Sequence, residues 1–334
     1  MEAIRGEIVR SAQVAQDRHE FAREAARVLG RAVPFDGVAV VWFDPATALP
    51  VDEWTDATVA SRIDRQEGDF DMFRQLADSG RRAASTSGAA GHELRAVCVG
   101  NSGMWGALVM YRDRGAPAFA TRDVDLLASL ADGFEDVQRA RLERDLSADA
   151  RDGDRGLLLL DDEDGIEMAD AAATAWLDEL PGHGRRLPLV VTAVAARARA
   201  IASGHSEVAA TARGRTTSGR WLHLRGSVLR NANHARTAVT LEPARAPELA
   251  ELIADGYGLT ARERHVTELV AQGLPSAAIA ARLHLSTYTV SDHLKAIFEK
   301  LDVSNRGGLV ARLFVDHHQL GGAPDGPRER RQAM

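Results

Sequence analysis

One stretch near the C-terminus, TYTVSDHLKAIFEKL, sets short hydrogen-bonding side chains and one long cation on a single helical face. Thr287, Tyr288, Ser291, Asp292, Lys295 and Glu299 share that face. Val290, Leu294, Ile297, Phe298 and Leu301 recur at i, i+4, i+7, i+8 and i+11 and form an apolar stripe opposite. Hydroxyls, two carboxylates and an ammonium presented together can donate to and accept from the polar edges of base pairs. An ordinary amphipathic helix with a solvated face gives the same pattern, so the face alone does not decide.

Other chemistry is hard to find. There is no G-x-S-x-G, no H-E-x-x-H, no paired-cysteine zinc spacing and no Gly-rich nucleotide loop. His317 and His318 would point about 100° apart on a helix, and His183 and His205 are isolated in expected loops. No catalytic residue, metal ligand or cofactor is expected. Cys98 is the single cysteine, which excludes an internal disulfide framework. It falls in an expected strand, where a small buried residue is the bland reading; redox sensing would need an exposed, electropositive setting. Trp42, Trp54, Trp105, Trp176 and Trp221 are expected in cores, with one or two of them as candidates to line a sensory pocket.

The polar face needs elements to hold it. Thr260 and Glu263 have the spacing of a capping box. Val266, Leu269 and Val270 then make a helical stripe that Gly273 ends. A second short helix is expected from Ser276 to Leu283, followed by a His284-Leu285 turn, with Ser286 capping the third helix. A fourth, from about 306 to 315, would pack through Leu309, Val310, Leu313 and Phe314.

Upstream, residues 7–30 show helical periodicity and VAVVWFDP reads as a strand. A polar middle follows, with a short helix at DFDMFRQLAD and a loop at ASTSGAAG. LRAVCVG and MWGALVMYRD are further strands, and Thr121 and Asp123 open a long exit helix. The charged stretch 141–155 reads as a connection. GLLLLD and GIEMAD then flank an Asp-Glu-Asp-Gly turn as a hairpin. Two helices (AAATAWLDEL and LVVTAVAARARAIA) and three strands (SEVAATARGR, GRWLHLRGSVLR, RTAVTLEPA) complete that unit.

A length of 334 residues implies more than one domain. The N-terminus lacks a secretory apolar stretch and no run approaches the ~18 apolar residues of a membrane span, so a cytoplasmic location without membrane contact is expected. The net charge of −7 argues against indiscriminate coating of nucleic acid. Residues 259–318 are near neutral, with seven Lys/Arg against six Asp/Glu. Of the 41 basic side chains only Lys295 and Lys300 are lysines, and both fall in this segment.

The combined pattern LTARERHVTELVAQGL…IAARL.LS..TV..HL..IFEKLDV.NR..LVARL resembles the LuxR-type helix-turn-helix over nearly sixty residues. That resemblance implies a four-helix module whose third helix enters the major groove of double-stranded DNA and whose last helix pairs two subunits. It points to Ser286, Thr287, Tyr288, Thr289, Ser291, Asp292, His293, Lys295, Lys300 and Arg306 as the DNA-facing set. Lys295 would be the chief cationic reader and Lys300 a phosphate or solvent contact. His293 is read with equal weight as a phosphate contact or a packing residue. Arg262, Arg264 and Arg282 are supporting cations. The chain departs from the family at Ser291, where a lysine is frequent, at Pro275, at Ala277-Ala278 and at Gly307-Gly308.

The upstream units resemble sensory folds: a GAF-like domain over 7–145 and a PAS-like domain over 153–243, with Asp170 where the latter family often has asparagine. Cys98 lies outside the PAS-like region, which excludes a cysteinyl-flavin photosensor there. Asp161-Asp162 resembles the acidic pair of a phosphoryl-accepting receiver, but no lysine precedes position 295 to complete one. The expected fold class is multidomain α+β ending in an all-α module. A linker (244–258), the helix-turn-helix domain (259–318) and a disordered tail (319–334) complete the division. A sequence-specific transcription regulator is implied, acting as a homodimer. A small-molecule ligand in either sensory unit and RNA polymerase are further candidate partners. The alternative is a non-catalytic ligand- or protein-binding adaptor that keeps a degenerate helix-turn-helix for dimerisation.

Overall fold

The computed structural model describes residues 2–62, 70–100, 103–131, 154–182, 187–230, 234–244 and 257–309. The chain divides into two compact units: Met1–Asp149 with Gly153–Ala261, and Ala150–Asp152 with Arg262–Met334. The architecture is mixed α+β, as the sequence implies.

The first unit opens with two helices where the periodicity of 7–30 suggests continuity: α1 (Glu2–Val14) and α2 (Arg18–Ala32). Asp17 makes the break. Its backbone is extended, and its carboxylate accepts the Glu20 N–H at 2.7 Å as an N-cap. Strands β1 (Gly37–Asp44) and β2 (Leu49–Thr55) follow, then α3 (Ala57–Arg62) and α4 (Asp71–Asp78). Strands β3 (Ala83–Gly88), β4 (Gly91–Gly100) and β5 (Gly103–Arg112) close an antiparallel sheet in the order β2-β1-β5-β4-β3. Two of these strands depart from expectation. LPVDEWT falls in the expected polar middle and most of AASTSG in the expected ASTSGAAG loop, yet both are edge strands. Edge strands pair on one side only, and β3 is mostly exposed, so neither carries a strong alternation.

The two faces of this sheet are covered differently. Phe43 projects to one side and meets Phe70 and Phe73 edge-on, at 6.2 and 6.1 Å between centroids. Val40 and Trp42 face the other side with Phe21 and Ala25 of α2. Leu94, Ala96 and Met110 extend that side toward Leu127 of α5 (Thr121–Ala131). The rest of the expected exit helix lies outside the described residues.

The second half repeats the plan. Strands β6 (Gly156–Leu160) and β7 (Ile166–Ala169) form the expected hairpin. Asp161, the first of the acidic pair, belongs to its turn and accepts the Glu163 and Gly165 N–H groups. Helices α6 (Ala171–Glu179) and α7 (Leu189–Ala202) come next, then β8 (Thr211–Arg215), β9 (Trp221–Arg230) and β10 (Ala235–Pro243). The sheet order is β7-β6-β10-β9-β8, so both halves follow the same two-strand, two-helix, three-strand path. Asp170 caps α6 through the Ala173 N–H at 2.7 Å and also accepts the Leu157 N–H. Asp serves this cap as well as the expected Asn would.

The two sheets share a core. Trp42, Leu49 and Val51 of the first belong to one buried cluster with Val190, Val191 and Val194 of α7 and with Leu222 and Leu224 of β9. At the end of β1, Asp44 meets Arg213 of β8 in a buried bidentate pair at 2.8 and 2.9 Å. The Arg213 backbone N–H adds a third bond to the same carboxylate at 2.8 Å. Of the tryptophans, Trp42, Trp105 and Trp176 are buried, whereas Trp54 and Trp221 are half-buried. Cys98 is buried in β4.

The second unit contains α8 (Ala261–Ala271), α9 (Ser276–Leu283), α10 (Thr287–Lys300) and a further helical turn over 306–309. The remainder of the expected fourth helix, the tail, and His183, His317 and His318 lie outside the described residues.

Candidate nucleic-acid interface

The geometry of α10 starts from its neighbours. Gly273 takes φ +82°, which needs no Cβ, and its N–H bonds the Val270 carbonyl to finish α8. His284 ends α9 in the left-handed region, at φ +54°. Two residues later Ser286 is extended, and its Oγ accepts the Thr289 N–H at 3.0 Å. The chain therefore turns within two residues and restarts as a capped helix, the turn between the second and third helices of a helix-turn-helix. Val290, Leu294, Ile297 and Leu301 are buried, and α9 packs against α10.

The other face is open. Thr287, Tyr288, Ser291, Asp292, Lys295 and Glu299 are all exposed, Tyr288 by 75%. Ser286 and Thr289 share a hydroxyl–hydroxyl bond of 2.8 Å, and Ser291 donates back to the Thr287 carbonyl. Thr289 and His293 are half-buried at the edges of the face.

The remaining cations are disposed differently. Lys300 extends its ammonium to the Glu263 carboxylate at 2.6 Å, and Glu263 is buried in α8. This ties the first helix of the module to the end of the third. Arg262 donates to the Leu283 carbonyl at 2.7 Å, and Arg306 donates to the Leu274 carbonyl. Each holds an orphan or near-orphan carbonyl at a turn between helices. Arg282 and Lys295 are exposed. Sequence reasoning missed the Glu263–Lys300 pair because the partners are 37 residues apart, beyond any helical period. Asn305 accepts the Gly308 N–H at 2.8 Å, so the last helix begins with a side-chain cap despite the Gly307-Gly308 pair. Among the described residues no His/Cys/Asp/Glu group could hold a metal ion, and no helix is long and apolar enough to cross a membrane.

The family described as bacterial regulatory proteins, luxR family, matches residues 258–313. This segment is a LuxR-family helix-turn-helix domain. A putative HTH-type transcriptional regulator of Aeromonas salmonicida is 43% identical over 72 residues, 22% of this chain and 36% of that protein. The transcriptional regulatory protein UhpA of Escherichia coli (strain K12) is 46% identical over 70 residues, 20% of this chain and 36% of UhpA. The chain thus spans little more than a third of the length of these curated relatives. Among solved structures, the GAF domain/HD domain protein from Geobacter sulfurreducens is similar at 15% identity and a TM-score of 0.30. That likeness covers 39% of this chain and 95% of the other.

Proposed function

We propose that this protein is a sequence-specific transcription regulator of the LuxR type, in which an N-terminal sensory unit controls major-groove binding by α10. The observation that carries the reading is the exposed polar face of α10, inside a segment that matches the family. Ser286, Thr287, Tyr288, Thr289, Ser291, Asp292, His293 and Lys295 form the DNA-facing set. Lys295 is its central cation, and Arg282 is an accessory phosphate contact. Lys300 and Arg306 belong to the same set by position, but their internal bonds favour a role in holding the module's helices together. The repeated strand-helix-strand plan of the first unit supports a GAF-like domain at 7–145 and a PAS-like domain at 153–243. Dimerisation through the last helix would give a pseudo-palindromic operator with half-sites about one helical turn, ~10 bp, apart. The reading assigns no catalysis, places the protein in the cytoplasm, and leaves RNA polymerase as a candidate partner.

One observation favours the adaptor reading: Arg262, Lys300 and Arg306 all donate to partners inside the module, which leaves few cations for phosphate. An unbiased selection of random duplexes with the full chain separates the two. Enrichment of one motif, lost in Lys295→Ala, supports the regulator; no enrichment supports the adaptor.

A further inference from the structure

We infer that the first sheet carries a binding site for a small, uncharged apolar molecule, between its inner face and helices α1, α2 and α5. A cavity of about 80 Å³ lies there. Its floor is a row of the sheet in which Trp42 pairs with Gly106, and Gly106 with Cys98, across β1, β5 and β4. Gly106 offers no side chain and Cys98 only a short one, so the floor is low where three strands meet. Phe21 of α2 and Leu127 of α5 help to roof it.

Protein interiors leave few voids larger than a water molecule, and a water needs only ~10–15 Å³ on this scale. Several waters would fit by volume. Each would need two to four polar partners, and the lining is hydrocarbon, thiol and indole with one charged residue, the exposed Arg5. A buried carboxylate or phosphate would lose its hydration without compensating bonds. An uncharged occupant of a few heavy atoms, aromatic or short-chain, suits both the volume and the lining. The opposite face of the sheet is filled by the Phe43, Phe70 and Phe73 cluster. The site gives the sensory reading a ligand class and rests on that reading only for its consequence at DNA.

Because Cys98 is the only cysteine, its alkylation reports on the cavity in the full chain. N-ethylmaleimide labelling is followed by intact mass, with toluene as the probe and hexanoate as its charged counterpart. Toluene at about ten times its Kd is expected to slow labelling roughly tenfold, since only the empty fraction reacts. It should also raise Tm, and hexanoate should do neither. Cys98→Leu fills the floor and should abolish the Tm shift; if that variant does not fold, the wild-type labelling still decides. Unchanged labelling and Tm with toluene, a shift retained in folded Cys98→Leu, or equal protection by hexanoate would each overturn the site. Protection of Cys98 with no change in operator binding upholds the site and counts against the sensory reading instead.

Discussion

Lys295 and Lys300 sit little more than one turn apart on α10, yet their surroundings differ. Lys295 is exposed on the polar face, whereas Lys300 is bonded to the buried carboxylate of Glu263. Substituting Lys295 with Ala should leave Tm unchanged and weaken binding to a selected operator. Loss of one base-edge contact should cost about 1–3 kcal/mol and relax the sequence preference at one operator position. Affinity for the selected operator equal to that of the wild type would remove Lys295 from the interface. Lys300→Ala should instead destabilise the module, because the buried Glu263 carboxylate loses the Lys300 ammonium. The cost is about 1–3 kcal/mol, below that of a fully buried pair since the lysine is half-exposed. Chemical denaturation of the full chain measures it. A variant that keeps its stability but loses DNA affinity would return Lys300 to the reading face.

At the scale of elements, the sharpest local signal is the cap of α10. Ser286→Ala removes the acceptor of the Thr289 N–H and should cost about 1 kcal/mol, with Ser286→Asp restoring most of it. Thermal unfolding checks both, and an Asp variant no better than Ala would mean that the hydroxyl acts otherwise. Helix-turn-helix boundaries were legible because glycine, serine and periodic apolar residues encode them within a few positions. Ser276–Leu283 is found as read, and the third helix ends one residue earlier, at Lys300. β2 and β3 were illegible for the opposite reason: a pairing edge draws its stability from a distant partner strand. The break at Asp17 lay in plain view as a capping residue, but unbroken apolar periodicity on both sides concealed it. Within the interface, the polar face could be read from spacing. The internal bonds of Arg262, Lys300 and Arg306 could not, since a sequence shows a cation's presence and not its partner.

At the scale of the whole first unit, two sheets of the same strand order are held by a common core and by Asp44 with Arg213. With only 4% and 6% exposure, these residues form a pair whose charges are screened little by water. Removing one partner, as in Arg213→Met, leaves the buried carboxylate its backbone N–H bonds but no countercharge, and should cost about 3–5 kcal/mol. Adding Asp44→Leu should recover much of that loss, because an apolar pair of similar volume avoids the desolvation altogether. Calorimetry on the full chain reads the outcome. If Arg213→Met unfolds at the wild-type temperature, the pair is not what joins the sheets. A second link makes the same unit sensitive to pH. His19 of α2 bonds Asp52 of β2 at 3.2 Å, which raises the imidazole pKa above its ordinary value near 6.5 against the opposing effect of burial. Asp17 adds attraction and Arg18 opposes it. A raised folded-state pKa means that the stabilisation is complete below the unfolded value and is lost as pH climbs through the folded one. The Tm of the unit should therefore fall as pH rises above 6.5 through the raised folded-state value, and His19→Gln should flatten that slope. An unchanged slope in the Gln variant would place the titrating group elsewhere.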